Sequence, residues 1–178
     1  MRRLALLLAL LLALVAGCGG EPPVAAPLAQ DGLVYVMRHA AAEPKTDAPE
    51  RLPSCATQRA LTRAGREQAR RIGAALREAG VPVRDVRASP MCRTMDTARL
   101  ALGRATPDDD LLMLAIEGST TADDARRTAA LRARVCSAPA GTWLVTHTPN
   151  IGEALGLSLA EGEVVGLRRG RPVVRLAL

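Results

Sequence analysis

His39 and His147 are the only two histidines of the chain, and each directly follows an apolar, partly β-branched run that reads as a buried strand. Arg38 precedes the first of them. Arg93 stands in what reads as the first turn of a helix that follows another short strand. An Arg-His pair after one strand is commonly the start of a solvated loop, but the same residue types recur at three strand ends. In an open α/β sheet the carboxyl ends of parallel strands line the crevice where a ligand enters. Two imidazoles and two guanidiniums along such an edge suit a phosphate monoester. That group is a dianion, which guanidinium forks bind bidentately and helix N-termini approach with oriented N–H groups. An unprotonated imidazole is neutral near pH 7, so it can attack phosphorus without meeting charge repulsion.

The elements that must position these residues can be read in order. After the strand within Leu33 to Ala40, residues 41–60 hold Pro44, Pro49 and Pro53 and show no apolar periodicity, which is a long loop. Thr62 is the expected N-cap of a helix whose inner face is Gly65, Ala69, Ile72, Leu76 and Ala79, stopped at Gly80. Val83 to Ala88 reads as a strand, and Ser89-Pro90 as the N-cap and first residue of the helix carrying Arg93, with Met91 and Met95 as packing. Leu111 to Ile116 is an apolar run, a strand or a buried loop. Thr121 with Asp124 suggests a capping box for a helix to about Ser137. Gly141 to Thr146 is a strand containing Trp143 as core, Asn150 to Leu157 a short helix opened by Pro149, and Glu163 to Leu176 a hairpin turned at Arg169-Gly170. Strands alternating with helices imply a three-layer α/β/α sandwich on a mostly parallel sheet.

Arg38-His39-Ala40, then Arg59-Ala-Leu-Thr62-x-x-Gly65-x-x-Gln68-Ala69, then Ser89-Pro90-x-x-Arg93-x-x-x-Thr97-Ala98, then Val145-Thr-His147-x-x-Asn150-Ile151 resemble, in order and spacing, the histidine phosphatase superfamily with its phosphoglycerate-mutase-like fold. Ala40 replaces the family's usual glycine. The resemblance implies a phosphomonoester hydrolase in which His39 becomes phosphohistidine and water then releases phosphate. Arg38, Arg93 and His147 would hold the equatorial oxygens, and Arg59 would add a phosphate or substrate contact. Thr148 reads as a helix cap within reach of the phosphate. The acid that protonates the leaving oxygen has no clear match in the sequence. Glu117 is the first candidate, Asp110 the second, and Asp123 and Asp124 suit helix capping better. No metal or cofactor is expected, because arginines beside the two histidines would repel a cation. If Arg59 and Arg93 face one pocket, Cys55 and Cys92 are the closest thiols and should pair, leaving Cys136 as a buried free thiol on a helix.

At the N-terminus, Arg2 and Arg3 precede an apolar stretch from Leu4 to Val15, too short to span a bilayer comfortably, and small residues then lead to Cys18. Val-Ala-Gly-Cys resembles the lipobox of bacterial lipoproteins. The expected organisation is therefore a signal peptide over 1–17, a lipidated Cys18 opening a Gly/Pro/Ala tether over 18–30, and one domain over 31–178. Such a protein would be an extracytoplasmic, membrane-anchored monomer, on the outer membrane facing the periplasm, in a compartment that permits disulfides. The net charge of +6, carried almost entirely by scattered arginines with one Trp, one Tyr and no Phe, lacks the aromatic platform of a nucleic-acid binder. The expected partner is a phosphorylated small molecule or a phosphoprotein. Two alternatives stand beside hydrolysis: a non-catalytic phosphate-binding lipoprotein of the same fold, and a protein phosphohistidine phosphatase.

Overall fold

The structure, a computed structural model, describes residues 22–44, 54–116 and 118–178. Its strands are β1 (Val34–Arg38), β2 (Asp85–Ala88), β3 (Thr106–Pro107), β4 (Thr142–Thr146), β5 (Val164–Arg168) and β6 (Arg171–Leu176). The helices are α1 (Arg63–Glu78), α2 (Cys92–Leu102), α3 (Thr121–Ser137) and α4 (Thr148–Leu155). The sheet order is β3-β2-β4-β1-β5-β6. β3, β2, β4 and β1 run parallel, β5 runs antiparallel to β1, and β6 turns back antiparallel to β5.

Alternation along β1 sorts the two cores. Tyr35 and Met37 face Ile72 and Leu76 of α1 and Met95 and Ala98 of α2, together with Trp143. Val34 and Val36 face Leu131 and Val135 of α3 and Ile151 of α4. Helices thus cover both faces, as the strand-helix alternation implies. The core has two large aromatics, Tyr35 and Trp143, which stack with ring centroids 4.3 Å apart. Small residues do the remaining close work. A Cβ on Gly73 would lie 2.5 Å from the Ala101 carbonyl oxygen, so glycine is what lets α1 approach α2. Among the described residues no helix is long and apolar enough to cross a membrane.

Several local expectations are corrected. The tether read over 18–30 extends too far: Ala25 and Leu28 are fully buried, residues 26–28 form a 3-10 turn, and the Tyr35 hydroxyl donates to the Leu28 carbonyl at 2.8 Å. A short Pro/Ala stretch has no periodicity by which to announce such docking. Burial of that hydroxyl, aided by Asp31, pushes the Tyr35 pKa up to about 12. Cys136 is exposed, because Val135, one helical step away, takes the buried face of α3. The capping box of α3 is Thr120 with Asp123, one residue earlier than read; Asp124 instead accepts from the Ala115 amide and the Ser119 hydroxyl. Of the two readings of Leu111 to Ile116, strand or buried loop, the loop holds. A 3-10 turn at Asp109–Leu111 leads into a loop that Asn150 holds, accepting from the Leu114 amide and donating to the Leu112 carbonyl.

Candidate active site

β1, β2 and β4 end together. The His39 amide donates to the Thr146 carbonyl and the Ser89 amide to the Val145 carbonyl, so the chain leaves all three strands at one edge. His39 and His147 meet there edge to face, ring centroids 5.5 Å apart, each almost wholly buried. Arg93 reaches them from the first turn of α2 and is fully buried. Arg93, Arg38 and Arg59 all lie within electrostatic range of both imidazoles. The four residues singled out at strand ends and the loop arginine therefore come within electrostatic range of one another at one sheet edge.

The hydrogen bonds fix the tautomers. His39 Nδ1 is 2.8 Å from the Ala40 carbonyl oxygen, which can only accept, so Nδ1 carries the proton and Nε2 keeps its lone pair. His147 Nδ1 faces an Arg93 terminal nitrogen at 3.3 Å, which can only donate; Nε2 therefore bears the proton and donates to the Ser89 hydroxyl at 2.9 Å. Burial first, then the arginine charges, lowers the pKa of His39 to about 4 and holds His147 well below the ordinary histidine value. The Ala40 hydrogen bond works in the opposite direction at His39 without overcoming them. Both rings are neutral at physiological pH.

The surroundings hold these groups still. Thr97 of α2 accepts from the Ala40 amide at 3.0 Å, and Gln68 of α1 accepts from the Ala41 amide at 3.1 Å. A Cβ on Gly65 would fall 1.9 Å from the Ala41 carbonyl oxygen, so this glycine is what allows α1 to seat against the segment following His39. Thr62 caps α1 as expected, accepting from the Gly65 amide. Arg38 donates to the Leu159 carbonyl at 3.0 Å and pairs with Glu161 at 3.5 Å. Arg59 donates through Nε to the Glu43 carbonyl. Cys55 and Cys92 are disulfide-bonded with Cα atoms 5.7 Å apart, tying the Arg59 loop to the N-terminus of α2.

Other candidates fall differently. Thr148 is the half-buried first residue of α4, with His147 as the N-cap residue. Glu117 and Cys18 lie outside the described residues. Asp110 is spoken for, since its carboxylate is held by Arg126 and Arg134 of α3. Ser89 serves His147 rather than capping α2, which begins at Cys92 with Met91 before it. Gln58 went unnoticed in the sequence; it is almost fully buried and accepts from the Cys92 amide at 2.8 Å. Only its place beside Arg59 could have pointed to it. Among the described residues no three His, Cys, Asp or Glu side chains cluster to hold a metal ion.

The family model described as histidine phosphatase superfamily (branch 1) matches residues 34–113, a span with Arg38, His39, Arg59 and Arg93 but short of His147. No curated protein matches the chain by sequence. Among solved structures, the protein histidine phosphatase SixA complexed with tungstate aligns at a TM-score of 0.59 and 18% identity, covering 82% of this chain and 96% of its own. A phosphoglycerate mutase from Thermus thermophilus aligns at 0.57 and 22% identity, over 82% and 99%. At those identities the likeness is one of fold. The family model's match at the first strand ends and that fold throughout make the chain similar to the histidine phosphatase superfamily.

Proposed function

We propose that the protein is a phosphomonoester hydrolase working through a phosphohistidine on His39. The observation that carries this reading is the His39 tautomer: Nδ1–H is held by the Ala40 carbonyl, so Nε2 keeps its lone pair within electrostatic range of the Arg93, Arg38 and Arg59 guanidiniums. In the first step Nε2 attacks phosphorus, the P–O bond to the leaving group breaks, and the alkoxide takes a proton. In the second, water attacks the phosphorus of phosphohistidine, the P–N bond breaks, and inorganic phosphate leaves. Arg93, Arg38 and Arg59 supply positive charge to the oxygens of the transferring group, so the chemistry needs no metal and should survive chelators. For His147 to donate to the same group, its Nε2–H must exchange the Ser89 hydroxyl for a phosphate oxygen. Tungstate, the ligand of the SixA neighbour, is a tetrahedral oxyanion like phosphate.

The proton for the leaving group is assigned to Glu117. Glu117→Gln should slow turnover of an alkyl phosphate by about 10- to 100-fold and that of an aryl phosphate much less, since a phenolate leaves with little help. Equal loss for both would remove Glu117 from this role. A protein phosphohistidine as substrate is the second reading, favoured by the SixA neighbour of that activity. His39→Ala should abolish hydrolysis of phosphomonoesters and of phosphohistidine, whose scissile bond is P–N; a purified protein that turns over neither between pH 4 and 8 would instead be a phosphate binder.

Export and lipid attachment at Cys18 complete the proposal. Val15-Ala16-Gly17-Cys18 supports it, as does the Cys55–Cys92 disulfide, a bond that persists in oxidising compartments. The mass of the mature N-terminus, with and without globomycin, tests it: an unmodified Cys18 or an intact leader would overturn the anchor.

A further inference from the structure

The end of the sheet opposite His39 carries its own chemistry. β5 is antiparallel to β1, so the β5–β6 turn lies beside the start of β1, where Leu167 pairs with Val34. That turn reads Arg168-Arg169-Gly170-Arg171, with all three arginines exposed and the exposed Val173 following. Arg84 and Arg104 extend the patch along the same end, joined through Arg104 donating to the Arg84 carbonyl and the Arg84 amide to Gly141, which itself donates to Leu33. None of these five arginines forms an ion pair among the described residues, whereas eight other arginines do. Acidic groups do not balance them: Asp85 is paired with Arg87, which leaves the exposed Asp31 beside five guanidiniums.

The N-terminal segment arrives at this same end. Arg168 donates to the Asp31 carbonyl at 3.0 Å and lies 3.4 Å from the Gln30 side-chain oxygen. From Pro22, the first described residue, to Cys18 is four residues, a reach of about 14 Å at most. We propose that the Arg168–Arg171 turn, with Arg84 and Arg104, is an electrostatic docking surface for an anionic phospholipid bilayer, holding the catalytic edge away from the membrane. The lipid contact stands on the patch itself; the orientation rests also on the proposed anchoring at Cys18. β1 sets the separation, since the five steps from Val34 to His39 span roughly 17 Å at about 3.3 Å each. The phosphoester served would then be water-soluble rather than a lipid headgroup.

The test compares the full chain with its Arg169→Glu/Arg171→Glu variant, which keeps Arg168 and an identical N-terminus. Vesicles of phosphatidylcholine alone and with about 30% phosphatidylglycerol are the probes, near 0.15 M salt, where the Debye length is about 8 Å. Each arginine at such a surface is worth about fivefold in partition, so the variant should lose about 25-fold or more of the phosphatidylglycerol-dependent binding. Equal partition of the two proteins, or no preference for the anionic vesicles, would overturn the proposal. Orientation is read on Cys136, whose sulfur lies against Gly170. A soluble maleimide should react more slowly with it on anionic vesicles while hydrolysis of a soluble phosphoester is unchanged; a fully reactive Cys136 with suppressed hydrolysis would mean docking by the catalytic edge. An unmodified Cys18 with the charge dependence intact would remove the anchor and leave the docking surface standing.

Discussion

At the scale of single residues, the site depends on two imidazoles kept neutral by different neighbours. His39 is oriented by a backbone carbonyl and His147 by Ser89 and Arg93. With the His39 pKa lowered to about 4, its neutral form persists far into acid. If His39 is the proposed nucleophile, the acid limb in kcat/KM, after correction for ionisation of the phosphoester, should fall near pH 4 in place of the 6.5 of a free histidine. A limb at 6.5 would show that the pocket is wetter or less cationic than the structure has it. Ser89→Ala removes the hydroxyl that receives the His147 Nε2 proton. It should cost roughly 10-fold in kcat/KM, read by steady-state kinetics, with little change in melting temperature, because the hydroxyl is a positioning group.

At the scale of elements, close approach of α1 to the segment after β1 is the most exacting fit in the molecule. Gly65→Ala would set a methyl 1.9 Å from the Ala41 carbonyl oxygen, so backbone must move. A loss of roughly 2–3 kcal/mol in denaturant unfolding is expected, with a larger fall in kcat than in substrate affinity, because Ala41 adjoins the carbonyl that orients His39. Helices and strands of this kind were legible because each buries one face and so leaves a period in the sequence: Ile72 and Leu76 recur at helical spacing, and Val34 to Met37 fill a strand covered on both sides. His39 and His147 were legible because an imidazole at the end of an apolar run is conspicuous, and Arg93 because it opens the helix that follows β2. What stayed hidden are contacts made by single residues. Leu28 docks from a stretch without period, Asn150 holds a loop from across the fold, and Gln58 reaches α2 across a loop-to-helix gap. The capping box was misplaced by one residue because Thr120 and Thr121, and Asp123 and Asp124, offer the same spacing twice.

At the scale of the whole molecule, catalysis and stability pull on the same groups. His39 is neutral when folded down to about pH 4, whereas in the unfolded chain it takes a proton near 6.5. Its contribution is therefore fully present above 6.5 and is lost as pH falls from 6.5 to about 4, about 3 kcal/mol in all. His147 acts in the same direction. Urea titrations at pH 7 and 4 should show this loss, and His39→Ala should flatten it. The disulfide closes a sequence separation of 37 residues, for which loop closure predicts about 4 kcal/mol. Reduction should lower stability by up to that amount and raise KM as the Arg59 loop is released from α2. The central claim is that His39 carries the phosphoryl group. Mixing the protein with labelled phosphomonoesters and quenching in alkali should trap one acid-labile, alkali-stable phosphate on His39, absent from His39→Ala; hydrolysis persisting in His39→Ala, or turnover without that label, would contradict it.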